Sequence, residues 1–145
     1  MFGSSTVKQK TLTILLVEDN PGDVYLFKAA LAECAADVEL TVIENGLHAW
    51  NFLEQVAAGD ATPPDLIILD INLPGMGGRD ILSGMTTRPE LHKIPVCIFT
   101  GAGSEESIVA EHPPLRLCFY AKVDSFLKLC EIVENFLNFA RESAV

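Results

Sequence analysis

Five polar side chains are placed where they could do chemistry: Glu18, Asp19, Asp70, Thr100 and Lys122 each follow directly on an apolar, β-rich run. Three carboxylates gathered at one place repel one another, and an oxygen-only donor set is stabilised by a hard cation such as Mg2+. A carboxylate beside Mg2+, with a hydroxyl and an ammonium opposite, is suited to accept a phosphoryl group. Thr100 would donate one hydrogen bond, Lys122 would pair with another oxygen, and Asp70 would attack in line.

The elements that must bring these groups together are legible in order. Residues 66–69, Leu-Ile-Ile-Leu, are apolar without alternation, as suits a strand buried on both faces of a parallel sheet. Asp70 then stands at the strand's carboxyl end, the edge of an open α/β sheet where ligands collect. In the following NLPGMGG loop, Pro74, Gly75, Gly77 and Gly78 permit tight turning and close approach of backbone to a bound group. Residues 12–17 repeat the design and end in Glu18 and Asp19. Asn20 then caps a helix with Pro21 at its first position, expected to run to about residue 36 with Val24, Phe27 or the stem of Lys28, Leu31 and Cys34 or Ala35 inward.

A strand is expected over residues 39–43. A helix opens at Asn45 and Gly46, with Ala49, Phe52, Leu53 and Val56 as its buried stripe and Trp50 and His48 on the flank or in solvent. Further expectations are a short helix over 79–87, a strand over 94–99 ending in Thr100, a helix capped by Ser104 and stopped by Pro113 and Pro114, and a strand over 115–121 ending in Lys122. A last helix over 124–141 would be capped by Asp124 or Ser125. Strand and helix alternate five times, which predicts an α/β, doubly wound parallel sheet with helices on both faces.

The chain has 145 residues and suits one domain, 11–145, behind a flexible polar lead-in of residues 1–10. Twenty acidic against ten basic residues give a net charge of −10, which argues against nucleic acid or an anionic membrane as partner. The N-terminus lacks the apolar core of a signal peptide, and no apolar run reaches the roughly 20 residues that span a bilayer, so a cytoplasmic location is expected. Cys34, Cys97, Cys118 and Cys130 have no metal-binding spacing and read as buried free thiols.

Four segments, ILLVEDNPGD, LIILDINLPGMGG, IPVCIFTGAGSEE and RLCFYAK, together resemble the receiver domain of two-component response regulators. The resemblance runs from about residue 11 to 141. It implies the flavodoxin-like strand order 2-1-3-4-5, Asp70 as phosphoacceptor, and Glu18 and Asp19 as the acidic pair. It further implies that Asp19, Asp70 and the main-chain carbonyl of Asn72 hold Mg2+, that Thr100 and Lys122 are the switch hydroxyl and phosphate-pairing lysine, and that Phe119 is the switch aromatic. Taken singly, the acids could cap a helix, Lys122 could be a surface charge, and Phe119 could be plain core with Tyr120 moving instead.

Two departures from the family stand out: Val123 follows Lys122 where a cis proline is usual, predicting a trans bond there, and Pro113–Pro114 shorten the fourth helix on the signalling face. The chain ends soon after its last helix, so output by protein contact or phosphate relay is expected, without enzymatic activity beyond self-catalysed phosphotransfer and autodephosphorylation. The resemblance is strongest to single-domain regulators serving phytochrome-type histidine kinases. On the last helix, Phe126, Cys130, Val133, Leu137 and Ala140 lie beside a second stripe of Leu129, Ile132, Phe136 and Phe139, wider than one core requires. That width predicts a homodimer through the fourth-helix, fifth-strand and last-helix face. A small residue at Ala102, with Asn72, implies a phosphate open to water. The alternatives are a pseudo-receiver that binds partners without taking phosphate and a hydrolase working through an aspartyl phosphate, for which no further acid or base candidate stands beside Asp70.

Overall fold

The computed structural model describes residues 11–34, 37–101 and 108–143. Strands β1 (Leu12–Val17), β2 (Val38–Ile43), β3 (Leu66–Leu69), β4 (Val96–Thr100) and β5 (Leu117–Ala121) form one parallel sheet in the order β2-β1-β3-β4-β5. Helices α1 (Pro21–Glu33), α2 (Gly46–Ala57), α3 (Gly78–Thr86), α4 (Ile108–Glu111) and α5 (Phe126–Ser143) connect or follow them. Leu15, Val17, Ile67, Leu69, Val96 and Ile98 face α2, α3 and α4, while Ile14, Leu16, Leu66, Ile68, Cys97 and Phe99 face α1 and α5. Alternate residues of each central strand thus feed opposite layers, which is why β3 is wholly apolar and why β1 and β4 are apolar apart from Thr13 near the start of β1 and Thr100 at the end of β4.

Caps follow the local sequence. Asn20 accepts from the Asp23 amide and Asn45 from the amides of Leu47 and His48. Of the two candidates ahead of α5, Ser125 is the cap, its hydroxyl accepting from the Lys128 amide. Phe27, Ala30 and Leu31 are the buried residues of α1, with Val24 and Cys34 half-buried. His48 lies in solvent as expected, whereas the Trp50 ring lies over Gly84 of α3, where a side chain at residue 84 would stand.

In the loop after β3 two glycines have distinct backbone reasons. Gly75 takes φ +73°, a left-handed turn that glycine adopts without strain. A Cβ on Gly78 would fall 2.7 Å from the Asp70 carbonyl oxygen and from Ile71 Cα, so the close approach is of α3 onto the chain just past Asp70.

Several boundaries shift. β4 begins two residues late because Pro89–Leu91 form a 3-10 turn and the Ile94 amide bonds back to Leu91. β5 begins at Leu117 because the Leu115 amide is held by His112. No described peptide bond is cis, so Lys122–Val123 is trans as the missing proline predicts. The Ser104 cap with Glu105, Glu106 and Ser107, and the residues 1–10, Ala35 and Ala102, lie outside the described residues.

The cysteine expectation needs correction. The β4–β5 register sets Cys97 directly beside Cys118, Cα atoms 4.6 Å apart, and their sulphurs meet as a disulfide. Spacing along the chain carries no hint of this, because strand register, not sequence separation, makes the pair. Cys34 and Cys130 remain free and half-buried.

The double stripe of α5 is mostly consumed internally. Leu129, Ile132, Val133, Phe136, Leu137 and Ala140 are all buried, against the sheet and α1 together, leaving Phe126, Cys130 and Phe139 partly open. A helix seated in the angle between a sheet and a second helix needs a wider apolar face than one lying on a single surface.

Candidate functional site

Strand register delivers the predicted residues to one rim. Val17 pairs with Ile43 and with Leu69, and Leu69 pairs with Ile98, so β1 and β3 end level with each other beside β4. Backbone bonds continue one step past the strands: the Glu18 amide donates to Ile43, the Asp70 amide to Val17 and the Lys122 amide to Thr100. Glu18, Asp70 and Thr100 are buried, Lys122 and Phe119 are half-buried, and Asp19 and Asn72 are exposed.

Asp70 is held at both oxygens. Its Oδ1 accepts from Thr100 Oγ1 at 3.0 Å and from the Asn72 amide at 3.0 Å. Its Oδ2 accepts from Lys122 Nζ at 2.8 Å. The same ammonium lies 2.7 Å from Glu18 Oε1 and 2.8 Å from Asp23 Oδ2. Three carboxylates therefore use all three donors of one lysine.

Glu18, Asp19 and Asp70 each offer an oxygen within 4.8 Å of the others, a donor set that fits a hard divalent cation. Among the described residues, Glu18, Asp23 and Asp70 share one ammonium and Asp19 stands beside Glu18 and Asp70, so these groups carry a net negative charge that a cation would offset. The Asn72 main chain lies next to this trio, its amide already turned to Asp70. Phe119 packs on the α2–α3 side of the sheet. Tyr120 points the other way and meets Phe136 edge-on, with ring centroids 5.4 Å apart.

Burial pushes the Glu18 carboxyl up from 4.5 to about 6; the Asp70 charge adds to the shift, and the hydrogen bond with Lys122 opposes it. For Lys122, burial alone would lower the ammonium, but its bonds to Asp23, Asp70 and Glu18 outweigh burial and hold it above the ordinary lysine range. Between about pH 4.5 and 6 the folded state thus keeps a proton on Glu18 that the unfolded chain has already lost. In chelator, stability is expected to fall as pH rises from 4.5 through about 6, by about 2 kcal/mol in all. Glu18→Gln should flatten that slope, as urea unfolding on either side of the window would measure.

The residue that sequence reasoning missed is Asp23. An acid in the first turn of a helix has a sufficient local explanation in the helix dipole and capping, and that explanation hides a contact made 99 residues away.

Residues 14–112 match the family described as the response regulator receiver domain. The chain is 34% identical over 131 residues to the response regulator Rcp1 of Synechocystis sp., covering 90% of this chain and 89% of that one. Among solved structures, the phosphorylated cyanobacterial phytochrome response regulator RcpA matches with a TM-score of 0.78 at 31% identity, over 94% of this chain and 98% of RcpA. The Mn2+-bound form of Rcp1 matches with a TM-score of 0.74 at 32% identity, over 88% and 93% of the two chains. The bacteriophytochrome response regulator AtBRR matches with a TM-score of 0.70 at 27% identity, over 88% and 94% of the two chains.

Proposed function

This chain belongs to the response regulator receiver family, and on that premise we propose that it accepts a phosphoryl group on Asp70 from a sensor histidine kinase and signals by protein contact. The observation that carries the reading is the pairing of a buried Asp70 with Thr100 Oγ1 and Lys122 Nζ, at 3.0 and 2.8 Å. In the transfer, one Asp70 oxygen bonds to phosphorus while the bond from phosphorus to the donor's leaving group breaks, its electron pair departing with that group. Lys122 and Thr100 then hold the phosphoryl oxygens that carry the developing charge.

Glu18, Asp19, Asp70 and the Asn72 carbonyl are the groups to hold Mg2+, which when bound supplies charge neutralisation at the phosphoryl oxygens. Phe119, on the α2–α3 side, is the switch aromatic; Tyr120 is engaged with Phe136 in the opposite layer. Similarity to RcpA, Rcp1 and AtBRR along nearly the whole chain supports a phytochrome-type kinase as the phosphoryl source. No described helix is long and apolar enough to cross a membrane.

Incubation with Mg2+ and a small phosphodonor tests the reading. One phosphoryl group per chain, base-labile as an acyl phosphate, is the expected result. No uptake would mean a pseudo-receiver, and rapid multiple turnover of the donor would mean a hydrolase.

A homodimer through α4, β5 and α5 belongs to the same reading. β5 is an edge strand of the sheet, and Leu117 to Tyr120 are only half-buried on it. Sedimentation at high concentration, with and without phosphorylation, should show association; a monomer in both states would exclude it.

A further inference from the structure

We propose that Asp23 is a positioning residue for phosphoryl transfer, holding the Lys122 ammonium against Asp70 from the solvent side. The inference rests on the phosphoacceptor reading of Asp70 and adds to it a residue that lies outside the acidic trio.

The geometry separates Asp23 from the other two partners of Lys122. Glu18 and Asp70 have side chains only 4% and 7% exposed and belong to the group that could hold a cation; Asp23 is 38% exposed and does not. When Asp70 becomes an acyl phosphate, its carboxylate charge is lost, and Lys122 must bond a phosphoryl oxygen instead. Asp23 is neither the acceptor nor one of the acids that a cation would draw on, so it can anchor the lysine before and after transfer.

Local capping shows why Asp23 is free to do this. An acid at the third position of a helix ordinarily reaches back to the amide of the capping residue. Here the Asn20 amide is taken by Glu18 Oε2 at 3.2 Å, while Asn20 Oδ1 accepts the Asp23 amide at 3.0 Å. The backbone of Asp23 is thereby fixed and its carboxylate released towards Lys122 Nζ at 2.8 Å. On the other partner, the Lys122 amide is pinned to the Thr100 carbonyl at 2.9 Å, so both ends of the ion pair leave from held backbone. The loop beyond Lys122 runs on to Val123, which is itself 37% exposed.

Two readouts test the proposal. Acylation of Lys122 by a small water-soluble anhydride, quantified by mass spectrometry on unphosphorylated protein, should rise about fivefold in Asp23→Asn. The phosphorylation rate at saturating small phosphodonor should fall about fivefold, with the half-saturating donor concentration little changed, and Asp23→Glu should recover most of it. In a Lys122→Ala background, Asp23→Asn should change the rate by less than about twofold, because the effect passes through the lysine.

Unchanged acylation of Lys122 in Asp23→Asn would overturn the proposal, as would an equal rate loss with and without Lys122. Wild-type protein that takes no phosphate, but whose Lys122 still becomes reactive in Asp23→Asn, would leave the Asp23–Lys122 anchor standing and sink the phosphoacceptor reading instead.

Discussion

Asp70→Asn is expected to abolish phosphoryl uptake while leaving the protein folded. The amide nitrogen has no free electron pair to attack phosphorus, and its oxygen lacks the carboxylate charge, so the nucleophile is lost outright. The surroundings survive the change. Thr100 and the Asn72 amide keep an oxygen to bond; the amide NH2 then stands where Oδ2 accepted from Lys122, and the ammonium turns from it onto Glu18 and Asp23. Removing one of four neighbouring acids also lessens their repulsion, so in chelator the variant should be more stable than wild type by about 1 kcal/mol. Phosphate-affinity gels after donor treatment, with urea unfolding alongside, check both parts. Uptake equal to wild type would move the acceptor elsewhere in the chain.

Lys122→Ala is expected to damage both chemistry and stability, and to do so in a cation-dependent way. Losing the one ammonium that faces the phosphoryl oxygens should slow phosphorylation on the order of 10²-fold, the usual effect of removing a charged donor from a transition state. It also leaves Glu18, Asp23 and Asp70, two of them buried, with no positive partner among the described residues. In chelator at neutral pH the loss should be about 3 kcal/mol, at the low end for breaking a buried pair because Asp23 is partly solvated. Added Mg2+ should restore part of it by taking the lysine's place as counter-charge. Acidification should do the same, since Glu18 then takes up a proton. A stability loss indifferent to both Mg2+ and pH would mean that Lys122 matters for packing rather than for charge.

Both expectations grow from features that differ in how readable they were. Asp70 was legible because four unbroken apolar residues announce a strand buried on both faces, and a charged residue in such a run can only stand at its end. The same logic exposed Glu18, Thr100 and Lys122, and the alternation of strand and helix supplied the layers. Asp23 was not legible, because an acid in a first helical turn is already accounted for by local physics. Nor was the Cys97–Cys118 pair, which exists only because β4 and β5 align Val96 with Leu117 and so set the two cysteines level. The wide apolar face of α5 was visible, but its purpose was not: six of its residues close on the sheet and α1.

The sequence by itself determined the element types and which polar groups terminate them, because burial on both faces and helix capping are local demands written into adjacent residues. Tertiary structure alone decided which groups touch: that one ammonium holds three carboxylates, that Glu18 rather than Asp23 closes the Asn20 amide, and that Gly78 packs on the chain beyond Asp70. The physical reason is that hydrogen bonds, including those within ion pairs, need donor and acceptor about 3 Å apart, whereas a sequence pattern specifies only the direction in which a side chain leaves its element. Register between strands, and the seat of a helix upon them, turn that direction into contact.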